Sequence, residues 1–222
     1  MNFPVSYDDI ALDIPGNQGI YIPAEDSFLL LDMLKDFLEK NAETIKEISD
    51  PVLDMGAGNG LATLLLAKHF TNVHTIDINP SATRFIRQEA THRSCDLAVH
   101  VVTASLLDAF RPGSTRFFLA CFNPPYLPQE DYENRGIQVE DPQDFYLDKT
   151  LYAPDGGKQI LELFLKSMKN IMITGGHVFF IKSSLTNIDD IDEFTSRFGL
   201  CIVDSKKIHR FFEDIECYHV IA

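Results

Sequence analysis

The chain has 222 residues, of which 45% are hydrophobic and 23% charged, and its formal net charge at pH 7 is −14. That length and apolar content suffice to bury one sizeable core and exclude an intrinsically disordered chain. The N-terminus carries neither a basic region nor an apolar run long enough for a signal segment or a membrane span, and the acidic balance disfavours a grip on nucleic-acid phosphates.

In chain order, residues up to Tyr21 read as an extended lead-in with a turn at Pro15-Gly16-Asn17, so that residues 1–25 precede the core of a single domain spanning 1–222. Asp26 or Ser27 is placed to cap a helix running to about Asn41, with Phe28, Leu31, Leu34, Phe37 and Leu38 on one face. Strand 51–55, helix 60–70, strand 73–78, helix 80–93 and strands 98–103 and 117–122 follow. A long polar loop from Leu127 to Ala153 then breaks the rhythm, either as a lid or as a solvated excursion. Its acids, among them Glu130, Asp131 and Glu140, suit a basic substrate segment if it is a lid. Helix 157–171, strand 177–182, helix 188–198 and two final strands, 200–208 and 215–221, complete the chain. The alternation implies an α/β, Rossmann-like fold: seven strands, mostly parallel, with a C-terminal antiparallel strand.

The motifs converge on one edge of that sheet. Strand 117–122 ends in Asn123-Pro124-Pro125-Tyr126, where two prolines remove consecutive N–H donors and forbid both ladder and helix. The resulting stiff corner suits a planar NH2 group: the Asn123 oxygen and the Pro124 carbonyl accept its hydrogens, and Tyr126 stacks on the attached π system. Upstream, Asp54-Met55-Gly56-Ala57-Gly58-Asn59-Gly60 joins a strand to a helix by a glycine-rich turn without the lysine of a P-loop. Asp54 would repel a pyrophosphate but attract a cation. Asp77 ends the next strand, roughly 20 residues past the glycines, the spacing at which an acid binds ribose hydroxyls. A nucleoside with a positive group and no phosphate fits this set, and S-adenosylmethionine is such a ligand.

This combination resembles the class I S-adenosylmethionine-dependent methyltransferases that act on amino or amide nitrogens through Asn-Pro-Pro-Tyr. Tyr21-Ile22-Pro23-Ala24-Glu25-Asp26-Ser27-Phe28-Leu29-Leu30-Leu31-Asp32 narrows the match to the short HemK-related enzymes of eukaryotes and archaea. The resemblance runs from about residue 20 to the C-terminus. It implies methyl transfer to the glutamine of the Gly-Gly-Gln loop of class 1 translation release factors, with Asn123, Pro124 and Tyr126 as catalytic residues and Pro125 beside them at the substrate. It places Ser27, Asp54, Gly56, Gly58, Asp77, Ser105, Leu106 and Asn123 around the cofactor. The chain departs from the family after strand 98–103, where Ala104 or Ser105 stands in place of the acid that binds the adenine amino group. A second departure is Tyr152-Ala153-Pro154-Asp155-Gly156-Gly157-Lys158, in a region expected to border the substrate entrance.

The resemblance also implies a heterodimer with a small zinc-binding activator protein. The third strand, Leu97-Ala98-Val99-His100-Val101-Val102, is an edge in such a sheet and has no charge after Asp96 and no proline, so it invites a covering chain. The alternatives are an amino-methyltransferase on DNA or RNA bases, a histone lysine methyltransferase, and a non-catalytic cofactor-binding scaffold. No metal site is expected: Cys95, Cys121, Cys201 and Cys217 lack ligand spacing, and the histidines are scattered. The thiols point to a reducing compartment, the cytoplasm and by extension the nucleus.

Overall fold

The computed structural model describes residues 1–16, 18–106, 115–128, 146, 151–210 and 213–222. The first twenty residues are more than a lead-in. Strands β1 (Asn2–Tyr7) and β2 (Ile10–Pro15) pair antiparallel about a turn in which Asp8 takes a φ of 55°, a left-handed conformation that aspartate tolerates. Ile10, Leu12 and Ile14 alternate inward and are buried in the core shared with the helices, while Ala11 and Asp13 face solvent.

Helix α1 (Glu25–Lys40) starts two to three residues earlier than a cap at Asp26 or Ser27 would place it. Ala24 holds the N-cap position and makes no side-chain cap bond, so neither Asp26 nor Ser27 is the cap. Both lie inside the first turn, where Asp26 accepts its neighbour's free N–H (Ser27 N to Asp26 Oδ1, 2.6 Å). A short helix α2 (Ala42–Ile45) leads to β3 (Val52–Met55), α3 (Leu61–Ala67), β4 (Val73–Asp77), α4 (Pro80–His92), β5 (Val99–Thr103) and β6 (Phe117–Phe122). Two-residue strands β7 (Leu127–Pro128) and β8 (Tyr152–Ala153) pair in parallel at the two ends of the predicted loop. The interior of that loop, except residue 146, lies outside the described residues. A 3-10 turn (Pro154–Gly157) opens into α5 (Lys158–Ile171), then β9 (Met172–Ser183), α6 (Ile191–Ser196), β10 (Cys201–Arg210) and β11 (Glu213–Ile221).

The large sheet has the order β10-β11-β9-β6-β3-β4-β5. Strands β5, β4, β3, β6 and β9 are parallel, and β11 runs antiparallel to both of its neighbours, β9 and β10. The pleat sorts side chains onto two cores. Val52, Leu119, Cys121, Phe179 and Ile181 face α1, α3 and α4, whereas Leu53, Ala120, Phe122, Val178 and Phe180 face α5 and α6. All six residues of β6 are buried, as expected of a strand covered on both faces. Among the described residues, no helix is long and apolar enough to cross a membrane, and no group of three or more acids, histidines or cysteines is placed to hold a metal ion.

Candidate active site

The carboxyl ends of β3, β4, β5 and β6 lie side by side, so Asp54, Asp77, Ser105 and Asn123 fall on one edge of the sheet, where ligands of such folds bind. Behind β3 the chain turns through Gly56, Gly58 and Gly60 at φ of 62°, 52° and 82°. Gly56 admits no side chain, because a Cβ there would stand 2.8 Å from the Phe122 ring. Two asparagines missed by the sequence reading fasten the entering segment over this edge. Asn59 donates to the Tyr21 carbonyl (3.2 Å) and accepts from Leu61 N (3.0 Å). Asn79 caps α4 through Ser81 N (2.8 Å) and donates to the Gly19 carbonyl (2.9 Å).

Asp54 is almost wholly buried. Its Oδ2 accepts from Thr63 Oγ1 at 2.6 Å, and Cys121 Sγ lies 3.5 Å from Oδ1. Burial pushes its carboxyl up to about 6, against the hydrogen bonds from Thr63 and Cys121. Asp77 is also buried, and its two oxygens accept from Gly58 N and Asn79 N, both at 2.7 Å. Burial raises its pKa as well, opposed by those backbone donors.

The Asn123-Pro124-Pro125-Tyr126 corner meets the start of α1. Asn123 Nδ2 donates to Asp26 Oδ2 at 3.0 Å, and the Tyr126 hydroxyl donates to the same oxygen at 3.1 Å. The Tyr21 hydroxyl reaches Asp26 Oδ1 at 3.0 Å. Burial, with the Asp26 charge second, holds both tyrosine hydroxyls far above their ordinary range, so they remain donors. Asn123 Oδ1 is buried and has no hydrogen-bond partner among the described residues. From behind, Gly157 presses on the corner: at φ of 82° it would bring a Cβ within 2.2 Å of the Pro125 carbonyl oxygen. The departure at Gly156-Gly157 therefore supports the motif directly.

Two adjoining cavities occupy the cleft and share Gly56, Asn123 and Pro125. The first, about 280 Å3, is walled by Asp26, Ser27, Asp54, Gly58, Pro124 and Tyr126, with Arg210 and Glu213 also on its lining. The second, about 250 Å3, is walled by Met55, Ile76, Ile78, Leu106 and Phe122, with Asp77 and Ser105 on its lining. The predicted site residues are thus brought together. Asp26, given a role only as a helix cap although it lies in the Tyr21–Asp32 signature, proves to be a hub of the site, which Asn123 and Tyr126 reach across 97 and 100 residues of chain. The donor set fits S-adenosylmethionine: a buried carboxylate in the first chamber for a cationic end, apolar walls in the second for an adenine, and Asp77 for a ribose.

A methyltransferase-domain family profile matches residues 52–135. A Methanocaldococcus jannaschii relative that carries the name of a protein N5-glutamine methyltransferase is 30% identical over 200 residues, 88% of each chain. The catalytic subunit of the eRF1 methyltransferase of Schizosaccharomyces pombe is 26% identical over 205 residues, 86% of this chain and 84% of its own. Among solved structures, the Mtq2–Trm112 complex of E. cuniculi, responsible for methylation of the eRF1 termination factor, superposes with a TM-score of 0.58 at 20% identity, covering 91% of this chain and 98% of that one.

Proposed function

This chain belongs to the HemK-related class I S-adenosylmethionine-dependent methyltransferases, and we propose that it methylates the side-chain amide nitrogen of the glutamine in the Gly-Gly-Gln loop of a class 1 translation release factor. The observation that carries the reading is that Asn123, on the lining shared by the two chambers, keeps a buried Oδ1 with no hydrogen-bond partner among the described residues. A buried acceptor without a donor is costly, and an incoming NH2 group supplies one.

Bound S-adenosylmethionine supplies an electrophilic methyl on a sulfonium. The protein's own task is to prepare the nitrogen. A carboxamide nitrogen is a weak nucleophile because its lone pair is delocalised into the carbonyl. Asn123 Oδ1 accepts one of its hydrogens and the Pro124 carbonyl the other, which returns electron density to nitrogen and aims the lone pair. Tyr126 lies under the amide plane. With that methyl in place a C–N bond would form as the C–S bond breaks, and the proton given up by the nitrogen would pass to solvent water. Alignment of this kind is worth roughly 7–11 kcal/mol, and fixed dipoles at the reacting atom add to it. No nucleophilic serine or cysteine is needed. Asp54 and Ser27 serve the methionine end of the cofactor, Gly56 and Gly58 its close approach, Asp77 the ribose, and Ser105 with Leu106 the adenine.

The same reading includes a small zinc-binding activator on the β5 edge. The two edges of the sheet differ in the way that matters. Edge strand β10 carries Lys206, Lys207 and Arg210 and a register shift between Ile202 and Asp204, devices that discourage pairing. Edge strand β5 carries no lysine, arginine, aspartate or glutamate, and Val102 is 39% exposed. Val99 is buried and Val101 packs half-buried on the core, so the charge that tests this edge belongs at Val102. Val102→Lys is expected to abolish co-purification of the activator, and of its zinc, while the thermal midpoint stays within a few degrees. An intact complex in that variant would move the partner elsewhere.

The function itself is tested with labelled S-adenosylmethionine and, separately, a release factor, its Gln→Ala form in the Gly-Gly-Gln loop, a histone and a mixed RNA or DNA pool. Label is expected on the intact release factor alone. Label on histone or nucleic acid without the release factor would replace the proposed substrate.

A further inference from the structure

Asp26 receives more donors than its place in a helix requires. The Tyr21 hydroxyl (3.0 Å) and Ser27 N (2.6 Å) reach Oδ1, while Asn123 Nδ2 (3.0 Å) and the Tyr126 hydroxyl (3.1 Å) reach Oδ2. The residue is only 3% exposed. A carboxylate has about four lone-pair sites and no donor, so these four groups, with Ser27 Oγ a fifth at 3.3 Å from Oδ1, saturate it. Asp26 therefore lines the acidic chamber without an orbital to spare for the cofactor's cation. Its remaining influence runs through the groups it holds.

Asn123 is the consequential one. A carboxamide can be turned over with almost no change in shape, and the two orientations do opposite things at an acceptor NH2: one offers an oxygen that accepts its hydrogen, the other an NH2 that repels it. A carboxylate against the amide settles the choice, because only Nδ2 can face Asp26 Oδ2 without opposing two acceptors. Oδ1 must then point the other way, and it is the atom left buried without a hydrogen-bond partner among the described residues. A charged acceptor behind Nδ2 also polarises the amide and makes Oδ1 more negative.

We propose that Asp26 is the positioning residue of the acceptor site, fixing the Asn123 carboxamide in the one orientation that presents Oδ1 to the substrate nitrogen. The proposal rests on the acceptor-site reading given above and adds a residue to it. Tyr126 is held by the same oxygen, so the aromatic floor and the accepting oxygen of the site are registered to a single carboxylate.

Asp26→Asn tests this with little change of shape. An amide at position 26 presents NH2 where Oδ2 stood, so Asn123 turns over and offers its own NH2 to the substrate. The expected result is a fall in kcat of about 30-fold or more, with cofactor affinity by calorimetry within about twofold and an unchanged far-ultraviolet spectrum. Two further readouts separate positioning from packing. In cofactor-free protein labelled at asparagine side-chain nitrogen, the low-field amide resonance assigned to Asn123 is expected to shift upfield in the variant. In an Asn123→Ala background, adding Asp26→Asn is expected to lower the residual single-turnover rate by at most about threefold, because only its hold on Tyr126 remains to be lost. A further tenfold loss there, an unshifted resonance, or full activity of Asp26→Asn would each overturn the proposal. Should Asp26→Asn not fold, Asp26→Ser is carried through the same three measurements with the same expectation. The outcomes distinguish the two ideas: wild-type activity in Asn123→Ala sinks the acceptor-site reading, whereas an inactive Asn123→Ala beside a fully active Asp26→Asn sinks only the role of Asp26.

Discussion

In the chamber around Asp26 one carboxylate gathers donors from Tyr21, Ser27, Asn123 and Tyr126, whereas the chamber around Ser105 has Met55, Ile76, Ile78, Leu106 and Phe122 for walls and Asp77 as the one acid among its described residues. The first is held by directional bonds and tolerates no change of donor or acceptor. The second holds by shape and apolar contact and has polar precision only at the ribose. The difference follows from what each must do. Methyl transfer depends on the orientation of a nitrogen lone pair, which apolar walls cannot set; an adenine ring can be retained by burial alone. Mutations in the two chambers should therefore separate, the first costing rate and the second costing affinity.

The largest effect is expected at the junction. Asn123→Ala removes the accepting oxygen and should lower kcat by roughly 100- to 1000-fold, with cofactor affinity largely retained. Single-turnover transfer and calorimetry, read together, check it. Comparable activity in the variant would reduce the motif to a structural corner. Asp77→Ala should do the reverse: it removes a buried acceptor already oriented by Gly58 N and Asn79 N, and the affinity for the cofactor or its demethylated product should fall by about tenfold or more. Unchanged affinity would place the ribose elsewhere.

A pH titration divides the chambers without mutation. Asp54, pushed up to about 6 by burial, attracts a cation only when ionised. Cofactor affinity is then expected to hold above pH 7 and to fall as pH drops through 6, by at most about tenfold per unit, and Asp54→Asn should flatten the profile at the lower level. Stability of the cofactor-free fold moves the other way. A carboxyl raised above its ordinary value of 3.8 binds its proton more tightly when folded, so its contribution is complete below that value and lost as pH rises through about 6. Affinity independent of pH between 5 and 7.5 would remove Asp54 from the cation site.

The two chambers also differ in how legible they were. Asp54, Gly56, Gly58 and Asp77 follow their strands directly, and a strand-turn-helix unit carries its ligand residues at fixed local spacing. The mostly parallel direction of the sheet was legible because apolar runs such as Phe117–Phe122 alternate with helical patterns, whereas the strand order comes from the structure. What escaped was non-local or weakly patterned. The β1–β2 hairpin has a five-residue alternation and an Asp8-Asp9 turn in place of the usual Asn-Gly signal, so it read as extended chain. Asp26 looked like a cap because an acid near a helix start usually is one, and its partners Asn123 and Tyr126 are joined to it only by the fold. Gly157 was legible only as part of a departure from the family near the substrate entrance, and packing alone reveals the Pro125 carbonyl against it.

The smallest expected effect probes the chamber held by shape. Ser105 lies on its lining, is exposed, and stands where the family places an adenine-binding acid. A serine hydroxyl accepts a neutral hydrogen bond, whereas a carboxylate makes a charge-assisted one about twice as strong. Ser105→Asp should therefore raise cofactor affinity, but only by roughly threefold: the site is open to water, which weakens any single bond there, and the new charge sits in the same chamber as Asp77, which repels it. The sharper measure is selectivity. Wild-type protein should bind a cofactor analogue lacking the adenine amino group within a few-fold of the natural one, because little is lost when shape does most of the holding. In Ser105→Asp the amino group meets a charged acceptor, and the ratio should widen by about fivefold. If the wild type already discriminates a hundredfold, a polar group outside this chamber's described lining reads the adenine, and the contrast between a bonded and a shape-held chamber does not stand.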